Sequence, residues 1–62
     1  MPKVREAIEM VERDGWRLDR QRGSHRVYRH HIKRGTVVIP GHPRDDVAPG
    51  TWQSILRQAG LK

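Results

Sequence analysis

Trp16-Arg17-Leu18-Asp19-Arg20-Gln21 and His25-Arg26-Val27-Tyr28-Arg29-His30 stand on either side of Arg22-Gly23-Ser24. In the first run Trp16 and Leu18 point one way while Arg17, Asp19 and Gln21 point the other. In the second, His25, Val27 and Arg29 share one face and Arg26, Tyr28 and His30 the other. A period of two is that of a β-strand, and two such runs around a Gly-containing turn predict a hairpin. Each face of the second run carries one large side chain, Val27 or Tyr28, so alternation does not say which face is buried. Tyr28 is therefore open as a core residue or as a contact to a base. Trp16, beside a helix stop and on one face with Leu18, is expected in the core.

Helical spacing flanks the hairpin. Over residues 3–14, Val4, Ala7, Ile8 and Val11 fall at i, i+3, i+4 and i+7, one stripe of a 3.6-residue period. Pro2 suits the helix start and Gly15 its stop, and Arg5 and Glu9 can pair across one turn. After a turn at His31-Ile32-Lys33-Arg34-Gly35, the β-prone run Thr36-Val37-Val38-Ile39 predicts a third, well-buried strand that Pro40 ends. Residues 41–46 read as a loop. Pro49-Gly50 opens a second helix with Trp52, Ile55, Leu56 and Ala59 on one stripe and Gly60 as its stop. The expected fold is α+β: one α-β-β-β-α domain over residues 1–62, a three-stranded antiparallel sheet with both helices on one face and the other face open.

With 62 residues, a chain buries only about 60% of the surface it exposes when unfolded. Its thin core favours a partner or self-association. There is no cysteine, so disulfides, thiolate nucleophiles and thiolate metal ligands are excluded, in keeping with a cytoplasmic location. Residues 1–6 are charged and unlike a signal peptide, and no run is apolar enough to span a membrane. The net charge of +6 is uneven. Residues 1–14 carry three basic and four acidic side chains, residues 15–34 seven and one, and residues 35–62 three and two. A cationic middle is the electrostatic footprint of a polyanion partner; its plain alternative is a solvated basic face.

That middle contains Arg20-Gln21-Arg22-Gly23-Ser24-His25-Arg26. Histidine transfers protons near neutral pH, arginine grips phosphate, and glycine permits a sharp turn or a close ligand. RNA supplies its own nucleophile, the 2′-hydroxyl, so cleavage needs proton transfer and positive charge for the crowded phosphorus. His25 is the candidate catalytic group. Arg20, Arg22, Gly23, Ser24, Arg26 and Lys33 are the candidate RNA-binding residues. His42 is a candidate second acid, its plainer role being to order its loop; His30 and His31 are expected on the surface. No histidine pair has helical ligand spacing, and the carboxylates gather in the first helix, so neither a metal nor another cofactor is expected. A non-catalytic RNA- or DNA-binding module would use the same basic face.

Four motifs occur in order: Gly15-Trp16; Arg20-Gln21-Arg22-Gly23-Ser24-His25; Val38-Ile39-Pro40-Gly41-His42-Pro43; and Pro49-Gly50-Thr51 leading to Ser54-Ile55-Leu56-Arg57-Gln58-Ala59-Gly60-Leu61. Over nearly the whole chain they resemble the HicA family of toxins from bacterial type II toxin–antitoxin pairs. The resemblance implies a fold like that of double-stranded-RNA-binding domains, ribosome-independent cleavage of mRNA, and neutralisation by a HicB antitoxin, with which higher-order assemblies are compatible. It implies that His25 is catalytic and matches Gly23 to a family glycine. Arg44-Asp45-Asp46 departs from the pattern, standing where relatives often carry a glycine and a lysine, which bears on the phosphate or partner contacts of that loop.

Overall fold

The computed structural model describes all 62 residues. Helix α1 spans Val4–Arg13, strand β1 Arg17–Arg22, β2 His25–Arg29, β3 Thr36–Ile39 and helix α2 Pro49–Gln58. The strands form one antiparallel sheet in the order β1-β2-β3. This is the α-β-β-β-α order and α+β class expected from the sequence.

Both helices end alike. Beyond α1, Gly15 N–H donates to Glu12 O and Trp16 N–H to Val11 O, each at 3.0 Å. Beyond α2, Gly60 N–H donates to Arg57 O at 3.1 Å and Leu61 N–H to Leu56 O at 2.8 Å. These reversed bonds satisfy the last carbonyls of a helix and require a left-handed residue, which Gly15 (φ 102°) and Gly60 (φ 70°) provide. At the start of α1, Glu6 accepts the Lys3 N–H at 2.5 Å. Val4 and Arg5 donate to the carbonyls of Asp45 and Pro43. Pro2 lies ahead of the helix, and its carbonyl accepts the Val47 N–H at 2.8 Å. The loop between β3 and α2 thus occupies the free donors of the first turn of α1.

The core is wholly apolar. Val4, Ala7 and Val11 of α1, Ile55 and Ala59 at α2, and Trp16 and Val47 from the connections meet Tyr28, Val37 and Ile39 of the sheet. Pairing of Tyr28 with Val37 and of Arg26 with Ile39 defines the helix-packed face; the pair Val27 and Val38 lies on the open one. Tyr28, 2% exposed, is therefore a core residue. Strand β3 is an edge strand with alternate residues buried, less enclosed than its composition suggests. Its Val38 N–H is covered by Gln58 Oε1 at 3.0 Å. Both helices pack on β3. Every residue of β1 is exposed, and Leu18, on the helix side opposite Tyr28, is 50% exposed.

One irregularity sets the faces of the hairpin. Leu18 pairs with Tyr28, but the next pair is Arg20 with Val27, so Asp19 is an extra residue, a β-bulge. Uninterrupted alternation leaves Arg20 and Arg22 on the face of Trp16 and Leu18, and Gln21 opposite. The bulge reverses this: Arg20 and Arg22 join Val27 and His25 on the open face, and Gln21, paired with Arg26, joins the helix face.

Candidate active site

Strands β1 and β2 close through a two-residue turn, Gly23-Ser24, with Arg22 and His25 as cross-strand partners. Gly23 has φ 59° and Ser24 is not in the positive-φ region, the signature of a type II′ turn, whose twist matches that of the strands. A Cβ on Gly23 would meet nothing within 4 Å. The need for glycine is therefore conformational rather than steric.

The turn puts His25 on the open face beside Arg22, with Arg20 and Val27 forming the next cross-strand pair. Arg20, Gln21, Arg22, His25 and Val27 line one shallow depression. Arg20 is paired with Asp19 of the bulge, Nη1 to Oδ2 2.8 Å. Arg22 is exposed and forms no ion pair. His25 is exposed as well. An imidazole, a free guanidinium and a second guanidinium on one surface have the charge and donors to hold a phosphodiester.

Two of the basic candidates lie elsewhere. Arg26 is on the helix face, half-buried, and its Nη1 donates to Gly41 O at 3.1 Å, tying β2 to the loop after β3. Lys33 lies in the β2–β3 connection, where its Nζ meets Asp14 Oδ2 at 2.5 Å and donates to Ala59 O at 2.9 Å. Arg20, Arg22, Gly23 and Ser24 are thus brought together with His25; Arg26 and Lys33 are not.

The other histidines divide. His30 is not a surface residue: it is half-buried, with Nε2 2.8 Å from Asp14 O. Its Nδ1 accepts the N–H groups of Ile32 and Lys33 at 3.0 and 3.1 Å, which fixes the proton on Nε2, donating to Asp14. Its ring stands edge-on to Trp16 and stacks on exposed His31. His42 is exposed on the loop after β3; its N–H donates to Asp45 Oδ2 at 3.0 Å and its carbonyl accepts the Asp45 N–H at 2.9 Å. Because Ile39 pairs with Arg26, this loop leaves the sheet at the end that carries His25.

No three His, Asp or Glu side chains gather anywhere in the chain as metal ligands would. The Asp46 carboxylate pairs with Lys3 at 2.7 Å, and that hydrogen bond holds its pKa below the ordinary range. No helix is long and apolar enough to cross a membrane.

Two residues of the site were not singled out by sequence. Asp19 makes the bulge, and alternation carries no sign of an extra residue. Gln21 donates from Nε2 to Gly23 O at 3.0 Å; a polar side chain two residues before a Gly-Ser turn is its only signal.

No curated protein matches the chain. A family model described as the HicA toxin of bacterial toxin–antitoxin matches residues 4–61, and the chain belongs to that family.

Proposed function

We propose that this member of the HicA toxin family is an endoribonuclease that cuts mRNA through the 2′-hydroxyl of the substrate, with His25 as its proton-transfer group, and that a HicB antitoxin neutralises it. The observation that carries this reading is the cross-strand pairing of Arg22 with His25. Directly opposed residues hold their Cβ atoms about 5 Å apart. A phosphate gripped by Arg22 is then within reach of the imidazole.

In this reaction the 2′-oxygen forms a bond to phosphorus and the bond from phosphorus to the 5′-oxygen breaks. One proton leaves the 2′-hydroxyl and one reaches the departing 5′-oxygen. The products are a 2′,3′-cyclic phosphate and a 5′-hydroxyl. His25 carries one of these transfers, worth about 10²–10⁴-fold; water or His42 carries the other. Arg22, with Arg20 behind it, balances the charge that gathers on the non-bridging oxygens. The donor set suits a route without metal, since Asp19, the carboxylate of β1, is engaged by Arg20.

A toxin of a toxin–antitoxin pair has an antitoxin, here taken to be a HicB protein acting in the cytoplasm, where the mRNA lies. An exposed cationic face is a surface an acidic partner can cover. The test is incubation of the purified chain with single-stranded RNA in EDTA. Fragments ending in 2′,3′-cyclic phosphate and 5′-hydroxyl support the proposal. RNA that is bound but left intact identifies a non-catalytic binding module, and cleavage only with added Mg²⁺ overturns the metal-free route.

A further inference from the structure

The Gln21 side chain and the Gly23 carbonyl say more about this site than its charges do. Gln21 pairs with Arg26 on the helix side of the ribbon, whereas Arg22 and His25 pair on the open side. Gln21 Nε2 donates to Gly23 O at 3.0 Å, so that carbonyl is drawn toward the helix side. The Gly23–Ser24 peptide is trans, and in a trans peptide the N–H points opposite to the C=O. The Ser24 N–H is therefore aimed at the open side, the side of Arg22 and His25. It donates to no backbone acceptor in the chain.

The peptide is also the one whose orientation a turn can change. Types I′ and II′ differ mainly by a flip of this central peptide, and a flip would send the Ser24 N–H to the other side. Gln21 holds the carbonyl and so selects one orientation.

Resting on the ribonuclease reading above, we propose that the Ser24 backbone N–H is a donor to the non-bridging oxygen of the scissile phosphate and that Gln21 is the positioning residue that aims it. A fixed donor directed at developing negative charge acts chiefly in the transition state. This assigns a catalytic purpose to the Gly-Ser turn: glycine supplies the backbone angle, and the next residue supplies the donor.

A chain of 62 residues is within reach of chemical synthesis, so the donor itself can be removed. An ester in place of the Gly23–Ser24 amide deletes the N–H and keeps every side chain. This variant should unfold as the wild type does and bind a 2′-deoxy substrate analogue within about threefold of wild type. Its kcat falls about 10- to 100-fold, at or below the low end of the roughly 10²–10³-fold range for losing one such donor, because the site is open to water. Gln21→Ala should lower kcat with KM little changed, and Gln21→Lys, whose ammonium can reach the same carbonyl, should restore most of it. These two variants decide the matter if the ester chain does not fold. Wild-type kcat in the ester variant, or in Gln21→Ala if the ester chain is unfolded, overturns the inference and leaves the ribonuclease reading standing. If the wild-type chain cleaves no RNA, the ribonuclease reading falls first and the inference with it.

Discussion

Lys33 Nζ lies 2.5 Å from Asp14 Oδ2 and, from the same position, donates to the Ala59 carbonyl at 2.9 Å. Asp14 caps the C-terminus of α1 and Ala59 that of α2. One ammonium therefore serves the C-terminal ends of both helices, where the backbone dipoles favour positive charge. His30, three residues earlier, holds the Asp14 carbonyl. The β2–β3 connection is in this way fastened to both helices, and Lys33 is withdrawn from the face that carries His25.

The two kinds of basic residue should then separate in one experiment. Lys33→Ala should lower the thermal midpoint and leave the salt dependence of RNA binding unchanged. Arg22→Ala should keep the midpoint and reduce the slope of log K against log salt by about 0.7, the value for one phosphate contact on a single strand. Isothermal binding at several salt concentrations, beside thermal unfolding, checks both; equal slopes for Arg22→Ala and wild type would remove Arg22 from the phosphate contacts.

Acid should weaken the fold through the same pair. The hydrogen bond from Lys33 is the largest influence holding the Asp14 carboxyl below its ordinary value, and Lys3 does the same for Asp46. A carboxylate with a lowered folded pKa stabilises above its unfolded value, about 3.9, and loses that contribution as pH falls through the folded value. Urea unfolding between pH 7 and 2 should show stability dropping below about pH 4. Asp14→Asn should flatten part of that drop.

At the basic end, Tyr28 reports on the core. It is the one tyrosine of the chain, and burial is the largest cause raising its phenol pKa, followed by the nearby Glu12 charge, with Arg26 acting in the opposite sense. A phenol with a raised folded pKa stabilises below its unfolded value, about 10, and that contribution is lost as pH rises through the folded value. Absorbance titration should give an ionisation above that of free tyrosine. Ionisation at the free value with the fold intact would show that Tyr28 is not packed as described.

Backbone handedness at the hairpin allows a further check. Because Gly23 has φ 59° and open space around it, Gly23→Ala should destabilise by about 1–2 kcal/mol. A D-alanine at position 23 should not, since its preferred angles match the turn. Denaturant midpoints of the two synthetic chains measure the difference, and equal midpoints would mean that the turn does not need a positive φ.

Much of this fold was legible in the sequence because its signals are local. The stripe Val4-Ala7-Ile8-Val11, the glycine stops at Gly15 and Gly60, and the Gly-Ser turn each fix structure within a few residues. The place of the turn was legible but its length was not: Arg22, read as part of a three-residue turn, is the last residue of β1 and pairs with His25. What the sequence did not disclose depends on distant groups or on parity. The extra residue at Asp19 exchanges the faces of Arg20, Arg22 and Gln21 without changing composition. Arg26 and Lys33 read as free cations because their acceptors, Gly41 O, Asp14 and Ala59 O, are 15 to 26 residues away. His30 read as exposed for the same reason, its partner being Asp14 O, 16 residues off.

Whether His25 moves a proton in RNA cleavage is decided by comparing His25→Ala with wild type on one RNA substrate in EDTA. His25→Ala is expected to show no detectable cleavage, a thermal unfolding transition as cooperative as that of wild type and undiminished affinity for a 2′-deoxy analogue. Cleavage by the folded variant within threefold of the wild-type rate would contradict it.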